Sequence, residues 1–457
     1  MIASTLLALL ALATAAPAVS AAPQAPPPPA LDPLPPAAEP PAPAGPPLSL
    51  AEALARAREA SPDLAVARER IVQSQNQLTR AWSAFQPTLT ANGSYTRNST
   101  ESVTQFADQT TGKLLTFTTV PQNQLQGNLT AGVTLFNARA FPALDTAKDQ
   151  IEVSRLTESQ LRRETLLSVA STYFLGAQQK ELLGAAFRRS QASREQLRQA
   201  QSRYEAGLIQ KAAAVRAQLD AVSADQEARR QVFALAATKS QLATLLDRRD
   251  TAFELAPAPE PAPEQKGGYQ ELLQRAINDR PELAAQKLNE QITARVRTDA
   301  WAQFFPTLQL NGVVRANNAD LFPGQDRITW AVTLALSLPL YDGGFRYAQL
   351  KDAASQERAA TAQTRAQALK IEDELRRTLI DLDTARMLRD TSALALKVAQ
   401  ENERLARAQF DAGTSTQIEV SDAEASLYLA EATFLQQKLA VQLSALRLAK
   451  AVGAFDP

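Results

Sequence analysis

The sequence predicts an α+β membrane protein that carries out one plan twice, strands long enough to cross a bilayer followed by long antiparallel helices. Three observations predict it. Four segments alternate apolar and polar side chains over about ten residues each, the span of a membrane-barrel strand. No proline interrupts Ala143 to Ala256 or Leu340 to Asp456, and both stretches carry helical periodicity. The two halves also repeat rare residues in one order.

The internal duplication comes first because it sets the frame. Ser61-Pro-Asp-Leu-Ala-Val-Ala-Arg68 aligns with Arg280-Pro-Glu-Leu-Ala-Ala-Gln-Lys287. In that register Trp82, Phe85, Pro87, Thr88, Leu89 and Gly93 fall on Trp301, Phe304, Pro306, Thr307, Leu308 and Gly312. Leu135-Phe136-Asn137 then matches Leu340-Tyr341-Asp342, and Tyr204-Glu-Ala-Gly-Leu208 matches Phe410-Asp-Ala-Gly-Thr414.

Each half opens with two short helices divided by Pro62 or Pro281. The alternating segments follow. Leu89, Ala91, Gly93 and Tyr95 oppose Thr90, Asn92, Ser94 and Thr96; Leu125, Gly127, Leu129, Ala131, Val133 and Leu135 oppose Gln126, Asn128, Thr130 and Thr134. In the second half Leu308, Leu310, Gly312 and Val314 oppose Gln309, Asn311 and Arg315. Ile328, Trp330, Val332, Leu334, Leu336 and Leu338 oppose Thr329, Ala331, Thr333, Ala335 and Ser337. Such a strand has one face for lipid and one for water, or else covers a soluble core. No run of about eighteen apolar residues exists, so any crossing is by strands. Four strands cannot close a barrel and an open edge cannot face lipid, so copies must combine, two giving eight strands or three giving twelve.

The helical stretches show stripes at Leu144, Ala147 and Ile151, at Leu166, Ala170, Tyr173 and Ala177, and at Leu375, Leu379 and Leu382. Leu427, Phe434, Val441 and Leu448 form a heptad. Each stretch turns once, at Gly207-Leu208 and Gly413-Thr414, and a helix from Phe141 to Gly207 would measure about 100 Å.

Composition excludes whole classes. The 457 residues include 48 basic and 48 acidic ones, which gives no bulk electrostatic case for nucleic acid. With no Cys and no His, thiol and imidazole catalysis, disulfides, lipidated cysteine and most transition-metal sites are unavailable; carboxylate, lysine or serine catalysis stays open but lacks the usual proton shuttle, and no enzyme activity, cofactor or metal is expected. Ile2 to Ala16 is nearly all apolar and precedes small residues, giving an expected signal peptide over 1–22. A Pro/Ala-rich arm (23–47) with nothing to bury follows. A Pro-rich linker (256–268) separates the first repeat (48–255) from the second (269–457).

The paired Trp-x-x-Phe-x-Pro-Thr-Leu segments, Leu340-Tyr-Asp-Gly-Gly344 after a strand, and the two aromatic-acid-Ala-Gly turns stand here in order and in duplicate. With them the chain resembles TolC-like outer-membrane efflux proteins over Leu48 to Phe455. The resemblance implies a homotrimer in the outer membrane of a Gram-negative bacterium. In it, a 12-stranded transmembrane β-barrel, four strands per chain, touches outer-membrane lipid and continues as an antiparallel α-helical periplasmic tunnel. It implies a passive exit duct for small molecules delivered by an inner-membrane transporter and a periplasmic adaptor. Type I protein secretion ranks second, and a soluble periplasmic coiled-coil scaffold is the rival from another class. Several members carry a lipid-bearing N-terminal cysteine; without one, this chain would be anchored by its barrel alone.

The resemblance also implies where the tunnel closes, at acidic residues just after the second turn. They correspond to Glu419 and Asp422, three apart and so on one helical face, where threefold copying would stack carboxylate rings; the alternative is a solvated face with incidental acids. Their first-half counterparts are Ala213 and Arg216, and Arg216 either pairs with Asp422 or is a solvated surface arginine. Phe410 stands where the family has a tyrosine and Ser415 where it can have an arginine, so closure would rest on packing and acidic rings. Gly207, Leu208, Gly413 and Thr414 are the expected adaptor-contact tips.

Overall fold

The structure, a computed structural model, describes residues 36, 45–107, 112, 114–257, 259, 267–318 and 326–455. The expected signal peptide, most of the Pro/Ala-rich arm and most of the linker lie outside the described residues.

The chain begins with a short strand β1 (Pro47–Leu48) and helices α1 (Leu50–Ala60) and α2 (Pro62–Ser83). Strands β2 (Thr88–Arg97), β3 (Ser102–Ala107), β4 (Leu114–Val120) and β5 (Asn123–Asn137) lead to α3 (Ala140–Glu205) and α4 (Lys211–Leu245). The second half runs β6 (Glu254–Leu255), α5 (Tyr269–Asp279), α6 (Pro281–Ala302), β7 (Thr307–Asn317), β8 (Ile328–Ser337), α7 (Phe345–Asp411) and α8 (Gln417–Val452). Helices of 11, 22, 66 and 35 residues are followed by helices of 11, 22, 67 and 36. No helix among the described residues is long and apolar enough to cross a membrane.

By compactness the chain forms two units. One contains Leu183–Val232 and Ala399–Leu429; the other contains the strands, the short helices and the remaining parts of the long ones.

In the larger unit, β2, β5, β7 and β8 form one antiparallel sheet in that order, with β2 and β8 at its edges. Register carries the alternation across all four strands. Leu89, Ala131, Gly312 and Val332 are direct neighbours, as are Ala91, Leu129, Val314 and Trp330. Thr90, Thr130, Val313 and Ala331 make a row on the opposite face. One expectation is corrected. Pairing with β7 skips Leu135, because Thr134 faces Gln309 and Phe136 faces Leu308, so a bulge lets Phe136 take the place Leu135 was expected to hold. The apolar face is bare: Trp330 is 76% exposed and Leu336 70%.

Two further pairings were not foreseen. β3 and β4 form a separate antiparallel ribbon between β2 and β5, and β1 pairs in parallel with β6. The fully buried Tyr173 places its hydroxyl 3.0 Å from both the Leu48 and the Ala256 carbonyl, so one O–H is shared between them. Lys180 reinforces the junction by donating to the Leu255 carbonyl and pairing with Glu254 at 2.6 Å.

The short helices start where local chemistry starts them. Ser49 and Glu52 form a reciprocal capping box at α1, and Pro62 and Pro281 occupy the first turns of α2 and α6. Leu272, Leu375, Leu382, Val441 and Leu448 join α5, α7 and α8 in one apolar cluster, the last two residues belonging to the expected heptad. At the strand–helix junctions Trp82, Phe85 and Phe141 form an aromatic cluster, and Trp301, Phe304 and Tyr347 form its counterpart.

Candidate functional site

The smaller unit holds every residue that the sequence singled out for closure and docking. Both turns have the same backbone. Leu208 N–H donates to the Arg203 carbonyl at 2.8 Å and Gly207 N–H to Tyr204 at 2.9 Å; Thr414 N–H donates to Gln409 and Gly413 N–H to Phe410, each at 2.9 Å. This is the Schellman termination, which needs a left-handed residue. Gly207 and Gly413 supply it with φ of 70° and 75°. Leu208 beside the first glycine is 75% exposed.

The two following helices start differently. At α8, Thr416 is the N-terminal cap, its Oγ1 accepting from Glu419 N–H at 3.4 Å. The Ser415 hydroxyl donates to the Glu419 carboxylate. That hydrogen bond, joined by those from Thr416, holds the Glu419 carboxyl below the usual glutamate value, so it stays ionised further into acid. Ser415 and Glu419 are thus a bonded pair within one helix start. At α4 the positions matching Ser415, Thr416 and Glu419 are Ile209, Gln210 and Ala213, where Ala213 N–H meets the Gln210 carbonyl and no side-chain cap is formed among the described contacts.

Asp422 and Arg216 are also brought together. Arg216 Nη2 lies 3.6 Å from Asp422 and its Nε 3.5 Å from Asp220. Both partners of the Arg216–Asp422 pair are more than half exposed, so it contributes little, roughly 0–1 kcal/mol. Ser421 strengthens the same contact by donating to Asp220 at 2.7 Å. One heptad further along, the Tyr428 hydroxyl donates to Glu227 at 2.8 Å. Both ties join residues 201 apart in sequence, which means that α4 and α8 run parallel and in register. Burial opposes ionisation of Glu227, but hydrogen bonds from Arg230, Gln231 and Tyr428 outweigh it and hold this carboxyl below its usual value. Burial, then the Glu227 bond, push the Tyr428 phenol up.

Phe410 joins none of these acids. Its ring is covered by the Arg203 guanidinium at 5.1 Å, a cation–π contact between the ends of α7 and α3. Sequence reasoning missed Arg203, and it missed the ties that clamp each hairpin. Between α3 and α4, Asp225, its side chain 4% exposed, accepts from Ser190 and from Arg194. Between α7 and α8, Arg407 binds Glu403 at 2.9 Å and Glu424 at 2.7 Å. Glu424 is 8% exposed on its side chain. A polar pocket of about 240 Å³ beside this clamp is lined by Gln196, Gln199, Arg407, Phe410, Gln417 and Glu424. No set of carboxylates suited to a metal ion exists among the described residues.

A family model described as "Outer membrane efflux protein" matches residues 53–247 and 272–454, which is most of the chain. The chain belongs to the outer membrane efflux protein family. Its function is that of an outer-membrane efflux channel, and the soluble-scaffold reading falls. The Outer membrane protein TolC of Vibrio cholerae is 23% identical to this efflux protein over 430 residues, 89% of this chain and 91% of that one. Outer membrane protein OprJ of Pseudomonas aeruginosa is 30% identical over 159 residues, 34% of this chain and 33% of OprJ. Among solved structures, the outer membrane protein VceC of Vibrio cholerae aligns with a TM-score of 0.70 at 21% identity, covering 88% of this chain and 96% of that one. The Campylobacter jejuni CmeC outer membrane channel aligns with a TM-score of 0.74 at 16% identity, covering 89% and 85%. At such identities the structural likeness speaks for the fold.

Proposed function

We propose that three copies of this efflux protein close into a twelve-stranded barrel continued by a helical tunnel, the chain itself being a duplication. Small molecules handed over by an inner-membrane transporter and a periplasmic adaptor would leave passively through this duct. The carrying observation is the four-stranded sheet with two unpaired edges, β2 and β8, and one bare apolar face. In lipid every backbone group needs an internal partner, so such a sheet is stable only when another copy pairs with both edges. The 66-residue α3 has an axial rise of about 100 Å, several times the thickness of a hydrocarbon core, and so reaches far into water.

Within this reading, Glu419 and Asp422 form acidic rings at the narrow end, and Gly207, Leu208, Gly413 and Thr414 are adaptor-contact tips. The test is the mass of the detergent-solubilised protein together with planar-bilayer conductance. The expected result is a species of three chains that forms stable conducting steps. A species of two chains would replace the twelve-stranded barrel with an eight-stranded one, and a monomer that stays in the aqueous fraction and never conducts would overturn the duct.

A further inference from the structure

We infer that Arg315 is an anion-contact station inside the barrel, where carboxylate or phosphate groups of exported molecules meet a guanidinium. The inference rests on the closed-barrel reading and adds to it a residue that determines specificity.

Strand register places Asn92, Asn128, Arg315 and Thr329 in one row across β2, β5, β7 and β8. Adjacent members of such a row lie about 5 Å apart on one face. That face is otherwise built of hydroxyls, amides and small side chains, such as Thr88, Thr90, Ser94, Gln126, Gln309 and Thr333. Among its described residues Arg315 is the one charged side chain. Arg97, the other arginine of the sheet, belongs to the opposite face and ends its strand.

Arg315 also tells which face is inside. It sits within β7, two residues before the strand ends, and an arginine on the lipid side is unfavourable in proportion to its depth. The Trp330 face carries one charge, Arg97, at the last residue of β2 and paired with Asn123, beyond the end of β7; over the rest of its height it is uncharged and suits lipid. Arg315 is exposed and makes no ion pair among the described residues. A guanidinium has five N–H donors and no acceptor, and the neighbouring asparagine amides and threonine hydroxyl add donors beside it. That array favours a planar, bidentate oxyanion over a cation or a neutral solute. The duplicated position in the first half is Thr96, so each copy supplies one such guanidinium and a trimer three. Exposed charges are screened over about 8 Å at physiological salt, so the effect on permeation should be strong at low salt and absent at high salt.

The chain lacks cysteine, which gives a clean test. Channels of Arg315→Gln and Arg315→Cys are compared with the parent by reversal potential in potassium chloride gradients. Both variants should lower the anion-to-cation permeability ratio about twofold near 0.1 M salt and match the parent near 1 M. On Arg315→Cys channels already formed, a trimethylammonioethyl methanethiosulfonate should restore the parent ratio, and a sulfonatoethyl methanethiosulfonate should lower it further. Because modification follows assembly, folding does not enter the comparison. Unchanged ratios in both variants and after both reagents would overturn the station while leaving the duct intact. A conducting Arg315→Cys channel whose thiol never reacts from water would overturn the placement of this face inside. A parent that never conducts would instead overturn the barrel.

Discussion

The two long hairpins share a backbone and differ in what holds and decorates them. Helices α3 and α4 turn at Gly207, α7 and α8 at Gly413, through the same pair of terminating hydrogen bonds. The first hairpin is clamped by Asp225, buried and shared by Ser190 and Arg194, whereas the second is clamped by Arg407, half-exposed, on Glu403 and Glu424. After the turns, the first hairpin presents Lys211, Ala213 and Arg216, and the second presents Glu419 and Asp422. The difference teaches that a repeated backbone does not imply repeated chemistry. Both hairpins carry a charge clamp as structure, but only the second presents acids to water just after its turn.

The clamps are the first place to break this comparison. Removing one partner of a buried pair costs about 3–5 kcal/mol, whereas an exposed pair contributes roughly 0–1 kcal/mol. Asp225→Ala should therefore lower the Tm of the solubilised protein markedly. Arg407→Ala should fall between the two figures, because the guanidinium is half in water while its partner Glu424 is buried. Equal losses would mean that the two clamps are equivalent and that burial does not separate them.

The turns should behave alike. At Gly207 and Gly413 an added Cβ meets nothing within 4 Å, so the cost of alanine comes from the left-handed backbone alone. That cost is about 1–2 kcal/mol, and Gly207→Ala and Gly413→Ala should each show it in thermal unfolding, to the same extent. A clear inequality would show that one turn carries contacts the other lacks.

Much of this architecture was legible in the sequence. Period-two alternation placed the four sheet strands within one to two residues at most ends, because a sheet with one apolar face admits one register. Proline-free periodicity and glycine placed the helices and their turns. What escaped depended on distant partners. The pairing of β1 with β6 rests on two residues each and on Tyr173, more than a hundred positions from Leu48. The bulge at Leu135 is visible only against β7. The β3–β4 ribbon is rich in threonine, a composition that reads as loop until Leu114, Thr116, Thr118 and Val120 are set opposite their partners. At the helix ends, Glu419, Asp422, Ser415 and Arg216 were singled out by the family resemblance, aligned on the glycine turn. Arg203, Asp225 and Glu424 depend on how neighbouring helices are rotated, which no local pattern specifies.

Charge at the two turns gives a smaller effect, read in conduction. Glu419→Ala with Asp422→Ala should lower the cation preference of the channel or raise its conductance, since rings of carboxylates at a narrow mouth favour cations. The reciprocal change, Ala213→Glu with Arg216→Asp, should strengthen cation preference by giving the first turn the character of the second. If neither pair alters conductance or reversal potential, the acids belong to a solvated surface and closure lies elsewhere.

The smallest effect concerns Ser415, and its sign can be worked out. The Ser415 hydroxyl, with help from Thr416, holds Glu419 below the ordinary glutamate value of 4.5. A group with a depressed value keeps its charge above the ordinary value and loses it as the pH falls through the depressed one. Cation preference due to Glu419 should therefore survive below pH 4.5 in the parent channel and fade earlier, on descending pH, in Ser415→Ala. At pH 7 the carboxylate is ionised in both, so their selectivity should coincide there. A variant whose acid transition overlays that of the parent would show that the hydroxyl does not govern this carboxylate. A difference that persists at pH 7 would assign Ser415 a part in the shape of the mouth instead of its charge.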